Sequence, residues 1–92
     1  MHSKRVHLFV NGRVQGVYFR QGTMEVAEKN NVYGWVRNLP DDHVECILEG
    51  NDSSVDAVIE WAHFGPAGAV VEKLNITDEN YIGEFSEFEI RY

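Results

Sequence analysis

The sequence contains few residues that cross-link a chain or hold a metal. Cys46 is the only cysteine among 92 residues, so neither an intrachain disulfide nor a cysteine-based metal cage can form. A lone cysteine in an apolar strand is typically a small core residue. The four histidines have no spacing typical of a helical metal site: His2, His7, His43 and His63. The sequence therefore requires no metal or other cofactor.

Long apolar runs are missing as well. No hydrophobic stretch approaches the length of a membrane span, and the chain does not open with a charged and then apolar leader. We therefore expect a cytoplasmic protein with no membrane partner. At 92 residues the chain is large enough for one modest core but too small for two. Residues 1–92 are expected to form a single domain.

Positive charge is scarce and unevenly distributed. The formal net charge is −7, which argues against a nucleic-acid partner. Residues 1–40 nevertheless carry a balance of +4, whereas residues 41–92 carry −11. Local attraction for a small anion therefore survives in the first part of the chain.

Alternating apolar residues predict the strands. Val6, Leu8 and Val10 predict a strand with one buried face that ends at Asn11-Gly12. Gly50 is expected to break a later strand. The other predicted strands are residues 33–38, 43–49 and 70–77, followed by a polar loop at 78–84 and a terminal strand in which Phe88, Ile90 and Tyr92 alternate.

Apolar residues at helical spacing predict two helices. The first covers residues 22–30, and Asn31 follows it as a left-handed residue. Asp52 or Ser53 is expected to cap the second helix, which Gly65-Pro66 ends. The apolar stripe of the second helix is Val55, Val58, Ile59 and Ala62.

The order of these elements predicts the fold class. Two strand–helix–strand units, joined by a tight turn at residues 39–42, are typical of an α+β sandwich with both helices packed on one face of a sheet. This fold supports many unrelated activities, so it does not determine the function.

The segment between the first strand and the first helix is the main candidate for a functional site. A glycine-containing turn that leads into a helix N-terminus directs several backbone N–H groups toward one point, which suits a phosphate-sized anion. Arg20 adds a guanidinium that can bind two oxygens of one phosphate. A cation in the first helical turn opposes the helix dipole, which favours a role in binding. The segment consists of Gln15, Gly16, Val17, Tyr18, Phe19 and Arg20.

The same residues also have a structural interpretation. Val17 and Phe19 could fill the core, with Arg20 in solvent. Asn38 is either a turn residue or an amide that holds a water near the anion. We expect Arg13 and Arg37 to be surface charges. The large aromatic residues are expected in the core or on a sheet face: Phe19, Trp35, Trp61, Phe64 and Tyr92.

Two motifs, in this order and at this spacing, resemble those of the acylphosphatase family. The first is VNGRVQGVYFR at residues 10–20, and the second is GWVRN at residues 34–38. Further matches extend the resemblance over essentially the whole chain: Val44-Glu45, Glu49-Gly50, Gly65-Pro66 and residues 85–92. The resemblance implies a ferredoxin-like βαββαβ fold with a mainly antiparallel sheet.

The resemblance also implies a function. Members are usually monomers and hydrolyse the carboxyl–phosphate bond of small acyl phosphates without a metal or covalent intermediate. Inorganic phosphate is both product and competitive inhibitor. By the same resemblance, Arg20 binds the phosphoryl group, Asn38 orients the attacking water, and the loop at residues 15–20 cradles the phosphoryl oxygens. Thr23 stands where the family often has a threonine that could support this loop.

Some residues depart from the family pattern, and two other functions remain open. Asp41-Asp42-His43 replaces a common Asp-Gly turn, and Asn30-Asn31 stands where an apolar residue and a glycine are usual; both changes concern stability. The first alternative is a phosphate-binding or regulatory module that does not hydrolyse its ligand, although it would not need both Arg20 and Asn38. The second is a nucleic-acid-binding sandwich, which the acidic charge opposes.

Overall fold

Five strands and two helices make up the computed structural model, which describes residues 2–92. In chain order the elements are β1 (Ser3–Arg13), α1 (Phe19–Lys29), β2 (Tyr33–Asn38), β3 (Val44–Asn51), α2 (Asp52–Ala62), β4 (Val70–Glu79) and β5 (Phe88–Arg91). No helix in this part of the chain is both long and apolar enough to cross a membrane.

The strands form one sheet in the order β4-β1-β3-β2-β5. Every neighbouring pair is antiparallel except β2 and β5, which are parallel. The first four strands and the two helices give the ferredoxin-like βαββαβ arrangement, and β5 extends the sheet beside β2. The predicted α+β sandwich is therefore confirmed.

The core lies between one face of the sheet and the two helices. Val6, Leu8 and Val10 on β1 are fully buried, as the alternation predicted. They pair with alternate residues of β3, so both strands turn apolar side chains to the same face. The helices cover this face with Phe19 and Ala27 of α1 and with the predicted stripe of α2, of which Val55, Val58 and Ala62 are buried.

The two helices approach each other closely at Gly22. A Cβ atom at this position would lie 2.6 Å from the Trp61 ring, so only glycine leaves room for the indole. The Trp61 ring in turn packs against Phe19, with 5.3 Å between the ring centroids. This contact fixes the first turn of α1 against α2.

Cys46 lies at the middle of β3, the central strand of the sheet. It pairs with Leu8 on one side and Val36 on the other, and it is buried. Burial, with a smaller effect of the neighbouring Glu45 charge, raises the pKa of the Cys46 thiol to about 12. The prediction that this cysteine is a core residue is confirmed.

Several predicted strand ends were wrong, because strand pairing continues past the predicted ends of β1, β3 and β4. β1 runs through Asn11-Gly12 to Arg13. Its pairing with β4 has a bulge between Asn11 and Gly12. Gly50 does not break β3, since it pairs with Lys4 of β1. β4 extends to Glu79, so the polar loop begins later than predicted.

The predicted helix starts also need correction. α1 begins at Phe19, three residues before Gly22, and its N-cap residue is Tyr18. The N-cap residue of α2 is Asn51 instead of Asp52 or Ser53. Asn31 has the left-handed conformation that was predicted, with φ of 57°. The strand predicted at residues 33–38 has the bounds of β2.

Residues 80–87 must pass from one edge of the sheet to the other, since β4 and β5 are the two edge strands. Glu49, on β3, holds this crossing segment. Its carboxylate accepts hydrogen bonds from the backbone N–H groups of Ile82 (3.2 Å) and Glu84 (2.9 Å) and from Arg5 (3.3 Å). We call this part of the sheet the Glu49 end.

Candidate functional site

A cavity of about 380 Å³ opens at the opposite end of the sheet, where β2 ends and α1 begins. Gly16, Tyr18, Phe19 and Arg20 form one side of it. Asn38, the last residue of β2, lies on the same cavity. We call this the cavity end. Two of the residues singled out from the sequence, Arg20 and Asn38, are therefore brought together by the fold.

The loop before α1 has an unusual backbone. Gly16 has φ of 74° and Tyr18 has φ of 63°, whereas Gln15 and Val17 have no positive φ. Residues of alternating φ sign point successive N–H groups toward one side of the chain, which creates a concave site for an anion. Glycine adopts this conformation readily, but tyrosine does so at a cost of about 1–2 kcal/mol.

The N-terminus of α1 is not neutralised by the protein itself. Tyr18 makes no side-chain capping hydrogen bond, and no acidic residue lies in the first helical turn. The first N–H groups of the helix and the positive end of its dipole are therefore left for another partner. Thr23 supports this turn from within, since its hydroxyl donates to the Phe19 carbonyl at 2.8 Å and is buried.

Arg20 is half-buried at the wall of the cavity. Within residues 2–92, no carboxylate lies within ion-pair distance of its guanidinium. The guanidinium carbon instead lies 4.9 Å from the centre of the Tyr92 ring, a cation–π contact that orients it without neutralising its charge. An unneutralised guanidinium beside an uncapped helix makes the cavity attractive to anions.

Gln15 connects the loop to the turn that follows Asn38. Its side-chain amide donates hydrogen bonds to the carbonyls of Leu39 (2.8 Å) and His43 (2.9 Å). These two carbonyls belong to the tight turn between β2 and β3, whose own closing bond is Leu39 N–H to His43 O at 2.8 Å. The Gln15 side chain therefore fixes the distance between the loop and the strand end that carries Asn38.

The structure places the predicted site residues in two groups. Gly16, Tyr18, Phe19, Arg20 and Asn38 line the cavity. Gln15 and Val17 do not line it; the Gln15 side chain is occupied by the turn, and Val17 packs against the edge of the core. The structural interpretation thus holds for the side chains of Val17 and Phe19, which are partly or fully buried, while the loop that carries them still borders the cavity.

Four of the residues that line the cavity were missed: Val14, Gln21, Ile90 and Tyr92. Tyr92 was expected in the core or on a sheet face; it does not lie in the core, because its side chain is fully exposed. The same prediction for Phe64 was wrong, because its side chain is 72% exposed and it follows α2 instead of lying in the sheet. The register of β5 beside β2 pairs Val36 with Ile90, so the next alternate residue, Tyr92, falls beside Asn38. Ile90 and Tyr92 could have been predicted as cavity residues only if the sequence had indicated that β5 pairs in parallel with β2.

The cavity contains few groups that exchange protons near neutral pH. None of the described residues that line it is Asp, Glu or His. In residues 2–92, no three His, Cys, Asp or Glu side chains are placed to hold a metal ion. The arrangement offers a fixed positive charge, N–H donors and one amide, which suits the binding of a phosphoryl group next to a water molecule.

Comparison with known proteins identifies the family. The sequence profile described as acylphosphatase matches residues 6–90. An acylphosphatase of Pyrobaculum arsenaticum is 53% identical over 91 residues, which cover 98% of this chain and 96% of the relative. An acylphosphatase of Syntrophus aciditrophicus is 49% identical over 89 residues, covering 97% of this chain and 93% of the relative.

A solved structure supports the same assignment. The crystal structure of acylphosphatase from Bacillus subtilis superimposes with a TM-score of 0.93 at 30% sequence identity, covering 97% of this chain and 99% of the other. The chain therefore belongs to the acylphosphatase family of hydrolases.

Proposed function

We propose that this acylphosphatase hydrolyses small acyl phosphates in the cavity between α1 and β2, with Arg20 binding the phosphoryl group and Asn38 orienting the attacking water. The observation that carries the proposal is that Arg20 and Asn38, from separate elements, line one cavity. The loop of residues 15–20 supplies N–H donors to the phosphoryl oxygens beside the guanidinium.

The reaction forms one bond and breaks one. The water oxygen bonds to phosphorus, the bond from phosphorus to the acyl oxygen breaks, and its electron pair leaves with the carboxylate. One water proton stays on the phosphate and the other passes to solvent. The carboxylate is stable as an anion near neutral pH, so the leaving group needs no proton from the protein.

Positioning and charge stabilisation are the contributions that remain for the protein. Charge accumulates on the equatorial phosphoryl oxygens in the transition state, where a fixed guanidinium and preorganised N–H groups stabilise it. The Asn38 amide can accept a hydrogen bond from the water and donate one to an oxygen, which sets the direction of attack. No resident metal takes part in this scheme, and we expect hydrolysis to persist in excess chelator.

Steady-state hydrolysis of benzoyl phosphate in EDTA, with inorganic phosphate as inhibitor, tests these roles. Arg20→Ala should lower kcat/KM by about 10²–10³-fold and weaken phosphate inhibition, because it removes a preorganised donor from both complexes. Asn38→Ala should lower kcat by about 10²-fold while the inhibition constant for phosphate stays within about threefold. Arg13→Ala, at an exposed arginine outside the cavity, is the matched control.

The outcomes separate the assigned roles from the alternative. Normal hydrolysis by either cavity variant removes that residue from the mechanism. A wild-type chain that binds phosphate but does not hydrolyse benzoyl phosphate is a regulatory or phosphate-binding module. Loss of activity in Arg13→Ala equal to that in Arg20→Ala shows a general effect of positive charge instead of a specific contact.

The assembly and location of the enzyme also belong to this proposal. We expect residues 1–92 to act as a single domain, as a monomer in the cytoplasm. The monomer rests on the resemblance of the sequence motifs to those of the acylphosphatases. Sedimentation equilibrium of the purified chain measures this directly, and a mass of twice 10.5 kDa contradicts it.

A further inference from the structure

The cavity is larger than a phosphoryl group requires. A phosphoryl group with its attacking water takes about five water-sized volumes, on the order of 150 Å³. The cavity measures about 380 Å³, so more than half of it remains for the rest of the substrate. The residues that border this remaining space can select among acyl groups.

Large apolar side chains border the cavity. Tyr18 is 82% exposed and Tyr92 is fully exposed, and both line the cavity together with Ile90. Exposed aromatic rings that converge on one cavity are typical of a binding surface. Arg20 is the only formally charged residue among the described residues of this lining.

The conformation of Tyr18 indicates that its ring is not there for stability. A residue with φ of 63° is normally glycine, asparagine or aspartate, and a bulky side chain at that position is an outlier. The ring also contributes little to the core, since most of it is in solvent. Strained residues with exposed side chains at a cavity are concentrated where ligands bind.

The ring of Tyr92 lies next to the phosphate-binding group. Its centre is 4.9 Å from the guanidinium carbon of Arg20, so the ring is within reach of an acyl group whose phosphorus is bound at Arg20. Planar groups pack favourably on such a ring, whereas a small polar acyl group leaves it in water. A negatively charged acyl group would compete with the phosphoryl group for Arg20.

We propose that Tyr18 and Tyr92 form the acyl-binding surface of the enzyme and select acyl phosphates with an aromatic or extended apolar acyl group over acetyl-sized ones. This proposal rests on the proposed function, because it takes Arg20 as the phosphate anchor. Tyr18 and Tyr92 then act as specificity-determining residues, while the phosphoryl chemistry is shared by all substrates.

The test compares substrates within each variant. In the wild type and in Tyr18→Gly, Tyr18→Phe, Tyr92→Phe and Tyr81→Gly, kcat/KM is measured for benzoyl phosphate and for acetyl phosphate. Tyr18→Gly keeps the loop backbone, since glycine accepts positive φ, and should lower the benzoyl-to-acetyl ratio about 3- to 10-fold. Tyr18→Phe and Tyr92→Phe keep the rings and should keep the ratio within about twofold.

Tyr81→Gly is the matched control, because it removes a half-exposed tyrosine near the Glu49 end, on the segment that Glu49 holds. The same variants are titrated by calorimetry with two stable analogues, 2-oxo-2-phenylethylphosphonate and 2-oxopropylphosphonate, in which carbon replaces the bridging oxygen. The ratio of their Kd values should change in Tyr18→Gly by the same 3- to 10-fold, in the direction that weakens the phenyl compound.

Each result decides the proposal. A benzoyl-to-acetyl ratio unchanged in Tyr18→Gly, with active enzyme and normal phosphate inhibition, overturns the acyl-binding surface and leaves the proposed function intact. An equal change in Tyr81→Gly also overturns it. Failure of the proposed function has a different signature: neither substrate is hydrolysed, by the wild type or by any variant, whether or not the phosphonates bind.

Discussion

The two ends of the sheet use arginine in opposite ways. At the Glu49 end, Arg5 binds three carboxylates, those of Glu79 (2.8 Å), Glu84 (2.7 Å) and Glu49 (3.3 Å). At the cavity end, Arg20 has no carboxylate partner among the described residues and contacts an aromatic ring. The first arginine is paired with carboxylates of the fold, whereas the charge of the second is not neutralised by the described residues.

At the Glu49 end, the hydrogen bonds also stabilise the charged forms of Glu49 and Arg5. Burial by itself would raise the pKa of Glu49, but hydrogen bonds from the Ile82 N–H, Arg5 and the Glu84 N–H lower it below its ordinary value. Burial also opposes the charge of Arg5, and its hydrogen bonds to Glu84, Glu79 and Glu49 raise its pKa overall. Charge at the Glu49 end therefore serves stability, and we propose that charge at the cavity end serves ligand binding.

Glu49→Gln gives the largest expected change in stability. The amide cannot accept all three hydrogen bonds, and it leaves Arg5 without one partner in a buried position, so the free energy of unfolding should fall by about 3 kcal/mol. Urea titration measures this, with Asp56→Asn as the control. Asp56 pairs with Lys4 at the surface and should cost under about 0.5 kcal/mol.

The kinetic constants of Glu49→Gln decide whether the ends are independent. We expect kcat and KM for benzoyl phosphate within about twofold of the wild type at a temperature where the variant is folded, because distant sites act nearly additively. A tenfold loss of kcat in the folded variant contradicts the separation of the two ends.

Acid should weaken the fold through two buried carboxylates, Glu45 and Glu49, with a smaller loss of stability for each than Glu49→Gln gives. Glu45 and Glu49 have pKa values lowered from 4.5, so their contribution to stability is complete above this value and is lost as the pH falls through it toward the folded pKa. Urea midpoints at pH 6, 5, 4 and 3 should therefore decline more steeply for the wild type than for Glu49→Gln. Parallel curves for the two proteins contradict the assignment.

Gln15→Ala tests whether the Gln15 side chain holds the cavity end together. It removes two hydrogen bonds to the turn after Asn38, which should lower stability by about 1 kcal/mol and kcat about tenfold, since the loop and the strand end lose their fixed spacing. Asn30→Ala is the control, because it removes one amide–carbonyl bond at the other end of α1. A similar loss of kcat in both variants shows a general effect of destabilisation.

Local pattern was enough to predict the core face and part of the site. The alternation of Val6, Leu8 and Val10 predicted their burial, and Asn31 and Pro40 bracket the strand that became β2. Arg20 and Asn38 were predicted from motif order, and the fold places both on one cavity. These features depend on short-range chemistry that the sequence shows directly.

Features that depend on long-range pairing could not be predicted. Gly50 has a weak strand preference, but its pairing with Lys4 keeps it in β3. No side-chain cap marks the start of α1. Its N-cap residue, Tyr18, has a left-handed conformation and makes no capping hydrogen bond. The third wall of the cavity comes from β5, whose place in the sheet depends on a segment that crosses three other strands.

The position of Cys46 has an experimental consequence. Its thiol sits on the central strand between Leu8 and Val36, with a pKa of about 12, so it cannot react with alkylating reagents while the sheet is intact. Modification in native buffer then requires the centre of the sheet to open. The rate of alkylation therefore reports the opening of the innermost strand, and a cysteine introduced at the surface can be labelled selectively for spectroscopy.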